Sequence, residues 1–267
     1  MPKIPFRARP MLATLSAEPF DGPGWVFEEK YDGYRLLAYK EGSRVTLLSR
    51  NDKDKTAAFP AIATAISALP ARTLLLDGEA VAFDAHSVSR FQFLQRGGHA
   101  PSFAAFDCLY VNGRDLRPLP QSERRMLLEK EITGAATIFP SRTLASTGLK
   151  AFVAAKKRGL EGVLAKDRSA PYVEGRSKLW LKWKVHQEEE CVIAGYTAPA
   201  GSRSYFGALL LGAWAPDGLH FIGKVGTGFT GATLASLHKV FGPLVRATSP
   251  FVDPPRDRDI TWLSPKL

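Results

Sequence analysis

Hydrophobic residues in the first two thirds of the chain form short runs that are broken by glycine, proline and charged residues. Runs of this length predict strands rather than long helices, and they lie at Trp25–Phe27, Tyr34–Lys40, Val45–Ser49, Leu74–Phe83, Ala104–Val111 and Gly162–Lys166. Helical spacing of apolar residues predicts helices at Phe59–Ala68, Ser122–Glu131 and Leu149–Arg158, the second with Ser122 as its N-cap. The short connections favour antiparallel pairing, so the expected fold class is α+β.

The hydrophobic pattern changes near residue 186, where a polar segment with three consecutive glutamates begins. Beyond it, three strand-like runs separated by turn residues precede a helical stretch. They are Cys191–Tyr196, Gly207–Trp214, Leu219–Val225 and the helical Gly231–Val245. This order is the plan of a small five-stranded OB-type barrel. We therefore predict two domains, residues 1–186 and residues 187–267.

The formal net charge of +10 is confined to the first predicted domain. Lys and Arg outnumber Asp and Glu there by 29 to 19, whereas residues 187–267 carry seven of each. Such a basic domain suggests a polyanionic partner; a basic surface that only keeps the protein in solution is the alternative. No apolar run approaches the ~20 residues of a membrane span, and the basic start lacks the apolar stretch of a secretory signal. We expect a cytoplasmic protein with no membrane partner.

One octet, residues 28–35, concentrates charge around a single lysine, Lys30. The pair Asp32-Gly33 is a strong signal for a tight hairpin turn, so a charged β-hairpin is one interpretation. The other is a nucleophilic lysine, which needs a neutral amine. Neighbouring cations and burial lower a lysine pKa, whereas neighbouring carboxylates raise it. The octet alone leaves both interpretations open.

Residues 30–35, KYDGYR, resemble the KxDGxR motif of the covalent nucleotidyltransferases, which comprise ATP-dependent DNA ligases, RNA ligases and mRNA capping enzymes. Five further blocks resemble the other motifs of this superfamily, in the same order. They are SRN at 49–51, LDGEAV at 76–81, FDCLY at 106–110, EGVLAK at 161–166, and RS at 176–177 followed by WLKWK at 180–184. The resemblance implies an ATP-grasp-like α+β nucleotidyltransferase domain with antiparallel sheets, followed by an OB-fold domain.

The resemblance implies that Lys30 attacks the α-phosphate of ATP and carries AMP. Lys182 and Lys184 alternate on a predicted strand and so share one face; the family's corresponding pair reaches the α-phosphate, and a solvated edge strand guarded by lysines is the alternative. Asp32 is expected to order the nucleophile loop. Glu161 is expected to hold Mg²⁺ or Mn²⁺, although a surface glutamate before a glycine turn is the alternative.

The same resemblance assigns the nucleotide contacts. Phe106 would stack on adenine, a contact that contributes ~1–3 kcal/mol, although most phenylalanines in apolar strands belong to the core. Glu28 would accept a hydrogen bond from the adenine 6-amino group, and Glu79 would bind the ribose hydroxyls and contribute to the metal site. Guanidinium forks for phosphate or ribose would come from Arg35, Arg50 and Arg176.

The implied function is ATP-dependent sealing of nicked double-stranded DNA in repair, by a monomer in the bacterial cytoplasm that associates with the nucleoid and with other end-joining or repair proteins. PMLA at 10–13 and VGTGF at 225–229 resemble the ligase module of bacterial end-joining DNA ligases. An RNA ligase or a capping-type nucleotidyltransferase is one alternative, and a nick-binding module deficient in self-adenylation is another. The second follows because the family's sixth motif and last barrel strand would come after residue 267, so the OB domain is expected to be incomplete.

Overall fold

In a computed structural model the described residues are 4–96, 99–185, 191–199, 201, 204–257 and 259–266. The chain divides into two compact units, Met1–Gln187 and Glu188–Leu267. The predicted boundary between residues 186 and 187 lies outside the described residues. Among those residues, no helix is both long and apolar enough to span a membrane.

The first unit contains eleven strands and four helices within its described residues. The strands are β1 (Met11–Leu15), β2 (Trp25–Lys30), β3 (Tyr34–Glu41), β4 (Arg44–Ser49), β5 (Thr73–Val81), β6 (Ser102–Val111), β7 (Arg114–Asp115), β8 (Ile138–Pro140), β9 (Thr143–Ala145), β10 (Gly162–Asp167) and β11 (Gly175–Lys184). The helices are α1 (Pro60–Ser67), α2 (Phe91–Arg96), α3 (Gln121–Glu131) and α4 (Gly148–Arg158), with a 3₁₀ turn at Thr56–Ala58. The predicted α+β class is confirmed.

These strands form two sheets. The first sheet has the order β1-β11-β10-β2-β9, and the second has the order β4-β3-β5-β6-β7 with β8 beside β6. Pairing is antiparallel except for β1 with β11 and β8 with β6, which are parallel. The predominance of antiparallel pairs agrees with the sequence-based expectation.

The two sheets pack face to face, with helices on their outer faces. A core of residues from both sheets, including Met11, Leu75 and Trp180, fills the space between them. α1 and α3 cover the outer face of the second sheet, and α4 covers the outer face of the first. The central strands β5 and β6 are buried along almost their whole length, because strands covered on both faces need no polar side.

The Asp32-Gly33 turn does not form the hairpin that the charged octet allowed. β2 pairs with β10 and β9, whereas β3 pairs with β4 and β5, so the turn carries the chain from one sheet to the other. Gly33 is required there, because a Cβ would lie 2.3 Å from the carbonyl oxygen of Ala80. The hairpin interpretation was therefore wrong, and the chain that follows Gly33 belongs to the second sheet.

The predicted N-cap Ser122 was also wrong. α3 begins at Gln121, and the capping position is Pro120, which contributes no side-chain hydrogen bond. Proline fixes the backbone for a helix start and leaves no unsatisfied donor there. Ser122 instead lies within the first turn.

Within its described residues, the second unit is a five-stranded antiparallel sheet with one helix. Its elements are β12 (Val192–Thr197), β13 (Leu209–Ala215), β14 (Gly218–Val225), α5 (Gly231–Phe241), β15 (Val245–Arg246) and β16 (Ile260–Leu263), and the sheet order is β14-β13-β12-β16-β15. Thr230 caps α5. The helix ends before the predicted Val245, because Gly242 and Pro243 redirect the chain into a 3₁₀ turn. The expected OB-type plan of strands and one helix is present.

Candidate active site

Lys30 lies at the end of β2, on the inner face of the first sheet. The neighbouring strand places Gly162 directly opposite Lys30, and on its other side Gly162 lies opposite Lys184. A Cβ at Gly162 would lie 2.0 Å from the carbonyl oxygen of Trp183, so only glycine permits this close packing. The Lys30 Nζ contacts Glu161 Oε1, and the two side chains are 18% and 29% exposed. The amine is therefore held by a carboxylate while it remains accessible to a substrate.

A pocket between the sheets opens beside Lys30. Eight of the predicted site residues line it together with five others. The predicted ones are Glu28, Lys30, Arg35, Arg50, Glu79, Phe106, Arg176 and Lys182, and the others are Leu12, Ala13, Glu29, Tyr31 and Leu164. Three predicted residues, Asp32, Glu161 and Lys184, do not line it. The pocket combines cations, carboxylates and an aromatic ring.

The apolar part of the pocket comes from both sheets. Phe106 reaches it from β6, and Leu164 reaches it from β10. Leu164 lies opposite Glu28 on one side and opposite Lys182 on the other, so these three side chains form one row on the sheet face. A flat ring could lie between Phe106 and Leu164, with a carboxylate at one end of the row and an amine at the other. Sequence reasoning missed Leu164, although it shares the strand face of Gly162.

Glu28 is buried in a cluster of donors. Its Oε2 accepts from Lys166 Nζ at 2.6 Å and from the Ser141 hydroxyl at 2.5 Å, and its Oε1 lies 3.3 Å from Arg125 Nη1. Lys166 also donates to the Phe106 carbonyl oxygen at 3.2 Å. Burial lowers the pKa of Lys166, and Glu28 and Asp107 oppose that effect. Sequence reasoning missed Lys166, Ser141 and Arg125 as members of the site.

Arg35 supports the aromatic wall. Its Nε and Nη2 donate to the two Asp77 carboxylate oxygens at 2.7 Å each, and Nη2 also reaches the Met11 carbonyl oxygen at 3.1 Å. The guanidinium lies 4.4 Å from the centroid of the Phe106 ring. Burial lowers the pKa of Arg35, but the Asp77 charge outweighs it, so that the pKa is raised above its usual range. Two of the three guanidinium nitrogens are therefore already occupied by protein acceptors.

Two groups near Lys30 have shifted pKa values. Burial raises the pKa of the half-buried Glu79 to about 7; Arg35 and Lys30 oppose the shift, whereas Glu161 and Asp77 add to it. Burial also lowers the pKa of Lys182, and the positive charges of Lys30, Lys184 and Arg176 lower it further. Crowding of cations at this end of the pocket would favour an incoming polyanion.

The remaining predicted residues lie at the margins of the pocket. Asp32 bridges the lysine loop to the chain before α2: its backbone N–H donates to Ser89 Oγ at 2.9 Å, and its Oδ2 accepts from the Phe91 N–H at 3.1 Å. Arg176 is exposed and donates to the Ala13 carbonyl oxygen. Arg50 and Lys184 are also exposed. Asp32 therefore contacts the start of α2 rather than the pocket.

The described part of the chain contains no cluster of three or more His, Cys, Asp or Glu side chains that could form a metal cage. Glu79 and Glu161 interact electrostatically beside the lysine. Mg²⁺ is commonly held by one or two protein carboxylates together with substrate phosphates. These two carboxylates fit that mode of binding and do not fit a closed all-protein site.

Two facing sheets with a lysine–carboxylate pair at the rim of a basic, aromatic-lined pocket are the architecture of a nucleotidyltransferase. Comparison with known families refines this class. The family described as ATP dependent DNA ligase domain matches residues 10–184, and the family described as ATP dependent DNA ligase C terminal region matches residues 202–267. The chain belongs to the ATP-dependent DNA ligase family.

Among curated proteins, the chain is 39% identical over 266 residues to the multifunctional non-homologous end joining DNA repair protein LigD of Mycobacterium tuberculosis, covering 97% of this chain and 35% of the relative. It is 38% identical over 270 residues to LigD of Pseudomonas aeruginosa, covering 96% of this chain and 32% of the relative. The chain thus spans about a third of the length of these relatives.

Solved structures give the same picture. The crystal structure of the ligase domain from M. tuberculosis LigD is 39% identical, with a TM-score of 0.62, and the match covers 97% of this chain and 86% of that one. A mycobacterial DNA ligase D complexed with ATP and MES is 36% identical, with a TM-score of 0.64 and the same coverage. The predicted nucleotidyltransferase ligase fold is confirmed by these matches.

Proposed function

We propose that this chain is the catalytic ligase unit of an end-joining type DNA repair protein. It seals nicks or breaks that carry a 5′-phosphate and a 3′-hydroxyl in double-stranded DNA, through a lysyl-AMP and a DNA-adenylate. The observation that carries the proposal is Lys30, held by Glu161 at the rim of a pocket that Lys182 and Phe106 also line. The named repair function of the LigD relatives and the ATP bound in a similar structure support it.

In the first step, Lys30 Nζ attacks the α-phosphorus of ATP. A phosphorus–nitrogen bond forms, the bond to the bridging oxygen breaks, and pyrophosphate leaves. Nζ loses its proton to solvent, and Glu161, whose carboxylate contacts the amine, orients it for the attack. Lys182 lies near Lys30 and supplies positive charge to the phosphoryl oxygens, on which negative charge is spread in the transition state. Lys184 adds positive charge from the same strand.

The base and the ribose occupy the inner part of the pocket in this proposal. Adenine stacks on Phe106, with Leu164 on its other face and Glu28 toward its amino group. Glu79 lies near Lys30 and takes the ribose hydroxyls. Arg176 and Arg50 bind phosphates from their exposed positions at the pocket margin. Asp32 keeps the nucleophile loop fixed through its two backbone contacts.

Glu161 and Glu79 are the residues that would hold Mg²⁺ or Mn²⁺ together with the substrate phosphates. When bound, the ion supplies charge neutralisation at the phosphoryl oxygens. Without nucleotide, Glu161 forms an ion pair with Lys30, and the triphosphate would supply the further oxygen ligands that the ion needs.

After adenylation, AMP passes to the 5′-phosphate at a nick, and the 3′-hydroxyl attacks that phosphorus with release of AMP. The charge excess of residues 1–186, with 29 basic and 19 acidic side chains, suits a nicked duplex. A monomer is sufficient for these steps. Other end-joining or repair proteins are further proposed partners, in line with the names of the relatives.

Intact-mass measurement tests the proposal. After incubation with ATP and Mg²⁺, the wild-type chain should gain one AMP, and Lys30→Ala and Lys30→Arg should gain none. Lys157→Ala, which changes an exposed lysine on α4, is the matched control and should gain AMP normally. Lys30→Ala should still seal a pre-adenylated nick, because that step needs no nucleophilic lysine.

An acid-labile AMP adduct on Lys30→Ala would show that another residue is the nucleophile. Labelling from GTP in place of ATP would favour a capping-type enzyme. Sealing of nicked RNA in preference to nicked DNA would favour an RNA ligase.

A further inference from the structure

Four elements of the first unit converge on the Glu28 carboxylate. Glu28 lies on β2, Lys166 on β10, Arg125 on α3, and Ser141 directly after β8. Glu28 and Ser141 are each 1% exposed and Lys166 is completely buried. A carboxylate that is removed from water in this way needs several donors to remain charged, and these three neighbours provide them.

The donors are distributed unequally over the two carboxylate oxygens. Oε2 receives both short hydrogen bonds, from Ser141 Oγ at 2.5 Å and Lys166 Nζ at 2.6 Å. Oε1 has only the Arg125 contact, at 3.3 Å, within the described residues. Oε1 therefore retains the capacity to accept a hydrogen bond from a ligand in the pocket that Glu28 lines.

Arg125 and Ser141 form a clamp around this arrangement. Arg125 Nη1 donates to Ser141 Oγ at 3.0 Å, and Nη2 donates to the Ser141 carbonyl oxygen at 2.8 Å. The Ser141 N–H in turn donates to the Ala105 carbonyl oxygen at 2.7 Å, directly before Phe106. The clamp thus connects the carboxylate of the pocket to the strand that carries its aromatic wall.

Glu28 also lies between two cavities. Glu28 lines the nucleotide pocket and, together with Arg125, a second cavity that includes Trp25, Met126 and Arg168. Of these two cavities, Arg125 lines the second. The Arg125 guanidinium therefore contacts Glu28 Oε1 from the side of the second cavity.

We infer that Arg125 and Ser141 are positioning residues that determine base specificity, since they fix Glu28 Oε1 as a pure acceptor for the 6-amino group of adenine. This inference rests on the proposed function, because it requires that the pocket binds ATP. An ionised carboxylate accepts hydrogen bonds and donates none. It therefore favours a base with an amino group at this position over guanine or hypoxanthine, which present an oxygen there.

The test measures how fast the chain forms its nucleotide adduct from ATP and from purine riboside triphosphate. The second nucleotide lacks the 6-amino group and has no larger group in its place that could clash with Glu28. The ratio of the two second-order rates isolates the single hydrogen bond. Ser141→Ala and Arg125→Met should reduce this ratio, by about 10- to 100-fold if Oε1 loses its orientation completely. The loss should appear as a raised KM for ATP, with the rate at saturating ATP changed much less.

Matched variants separate positioning from a general loss of structure. Ser141→Thr keeps the hydroxyl and should restore the ratio. Glu129→Gln removes the charge of another Arg125 partner, whose Oε1 lies 2.6 Å from Nε, and should leave the ratio unchanged. The melting temperature of each variant is measured alongside, and if Ser141→Ala does not fold, the Arg125→Met result decides, because that side chain is 18% exposed.

A ratio in Ser141→Ala and Arg125→Met equal to that of the wild type would overturn the inference while the proposed function stands. A wild-type chain that forms no adduct with ATP would instead refute the proposed function, and the inference with it. The inference is supported if the ratio falls in Ser141→Ala and Arg125→Met but stays at the wild-type value in Ser141→Thr and Glu129→Gln.

Discussion

Replacement of Asp77 by alanine should destabilise the first unit strongly. Asp77 lies on β5 with no exposed surface, and its carboxylate receives two hydrogen bonds from Arg35 and one from the Tyr172 hydroxyl, all at 2.7 Å. Removal of this carboxylate leaves a guanidinium without its counter-ion and a buried hydroxyl without its acceptor.

The magnitude follows from the burial of each partner. Loss of one member of a buried ion pair costs about 3–5 kcal/mol of unfolding free energy. The Arg35 side chain is 18% exposed, so water can partly solvate it, and the lower end of about 3 kcal/mol applies. The unsatisfied Tyr172 hydroxyl adds about 1 kcal/mol. The expected total is about 4 kcal/mol.

Urea unfolding provides the measurement, and Asp115→Ala is the control. Asp115 pairs with Arg117 at 2.7 Å, but the two side chains are 36% and 28% exposed, so this exposed pair should contribute no more than about 1 kcal/mol. Asp77→Ala should also form less lysyl-AMP, because Arg35 lies 4.4 Å from the Phe106 ring that it supports. If both alanine variants cost the same free energy of unfolding, the buried network stabilises the unit no more than an exposed ion pair does.

Three further predictions concern the metal, the pH dependence and the DNA. Glu161→Gln should shift the Mg²⁺ titration of adduct formation to higher concentrations, whereas an unchanged titration would exclude a metal role. The pKa of Glu79 is raised by burial to about 7 from 4.5, so the native state keeps a proton that the unfolded chain loses between those values, and stability falls as pH rises through that window. Glu79→Gln should flatten this dependence in pH-resolved thermal unfolding, and an equal slope in both proteins would contradict it. Because the charge excess lies in residues 1–186, nick binding should weaken as salt rises, with a slope of log K against log salt of about −0.9 for each phosphate that is neutralised; a slope near zero would show that the basic surface does not bind the duplex.

Strands β3, β4, β5 and β6 of the second sheet were predictable because each contains an apolar run, whereas β7 and β8 were not predicted, because they are too short to contain one. β5 and β6 are almost completely buried, and burial on both faces leaves an unbroken hydrophobic signal. β1 was not predicted. Its five residues pair in parallel with β11, from Met11 opposite Gly175 to Leu15 opposite Lys182, and a partner so distant in sequence leaves no local pattern.

The candidate site likewise contains residues that the sequence predicted and residues that it did not. Motif resemblance identified Lys30, Glu28 and Phe106, and the structure brings them into one pocket. Ser141 and Arg125 carry no motif, and they reach Glu28 only because α3 and the end of β8 pack beside β2. The sequence did not predict these partners of Glu28. A buried carboxylate requires hydrogen-bond donors, but the sequence does not show which residues provide them.

The position of Lys30, the proposed nucleophile, follows from the crossing between the sheets. Lys30 ends β2 in the first sheet, and within four residues the chain enters β3 in the second. The lysine therefore lies at the seam where Leu164 and Lys182 from one sheet meet Glu79 and Phe106 from the other. Gly33 allows this seam to close, because a Cβ there would lie 2.3 Å from the carbonyl oxygen of Ala80 in the second sheet. Gly33 thus has a packing cause that is separate from any contact with nucleotide, because substitution there would displace Lys30 by separating the two sheets.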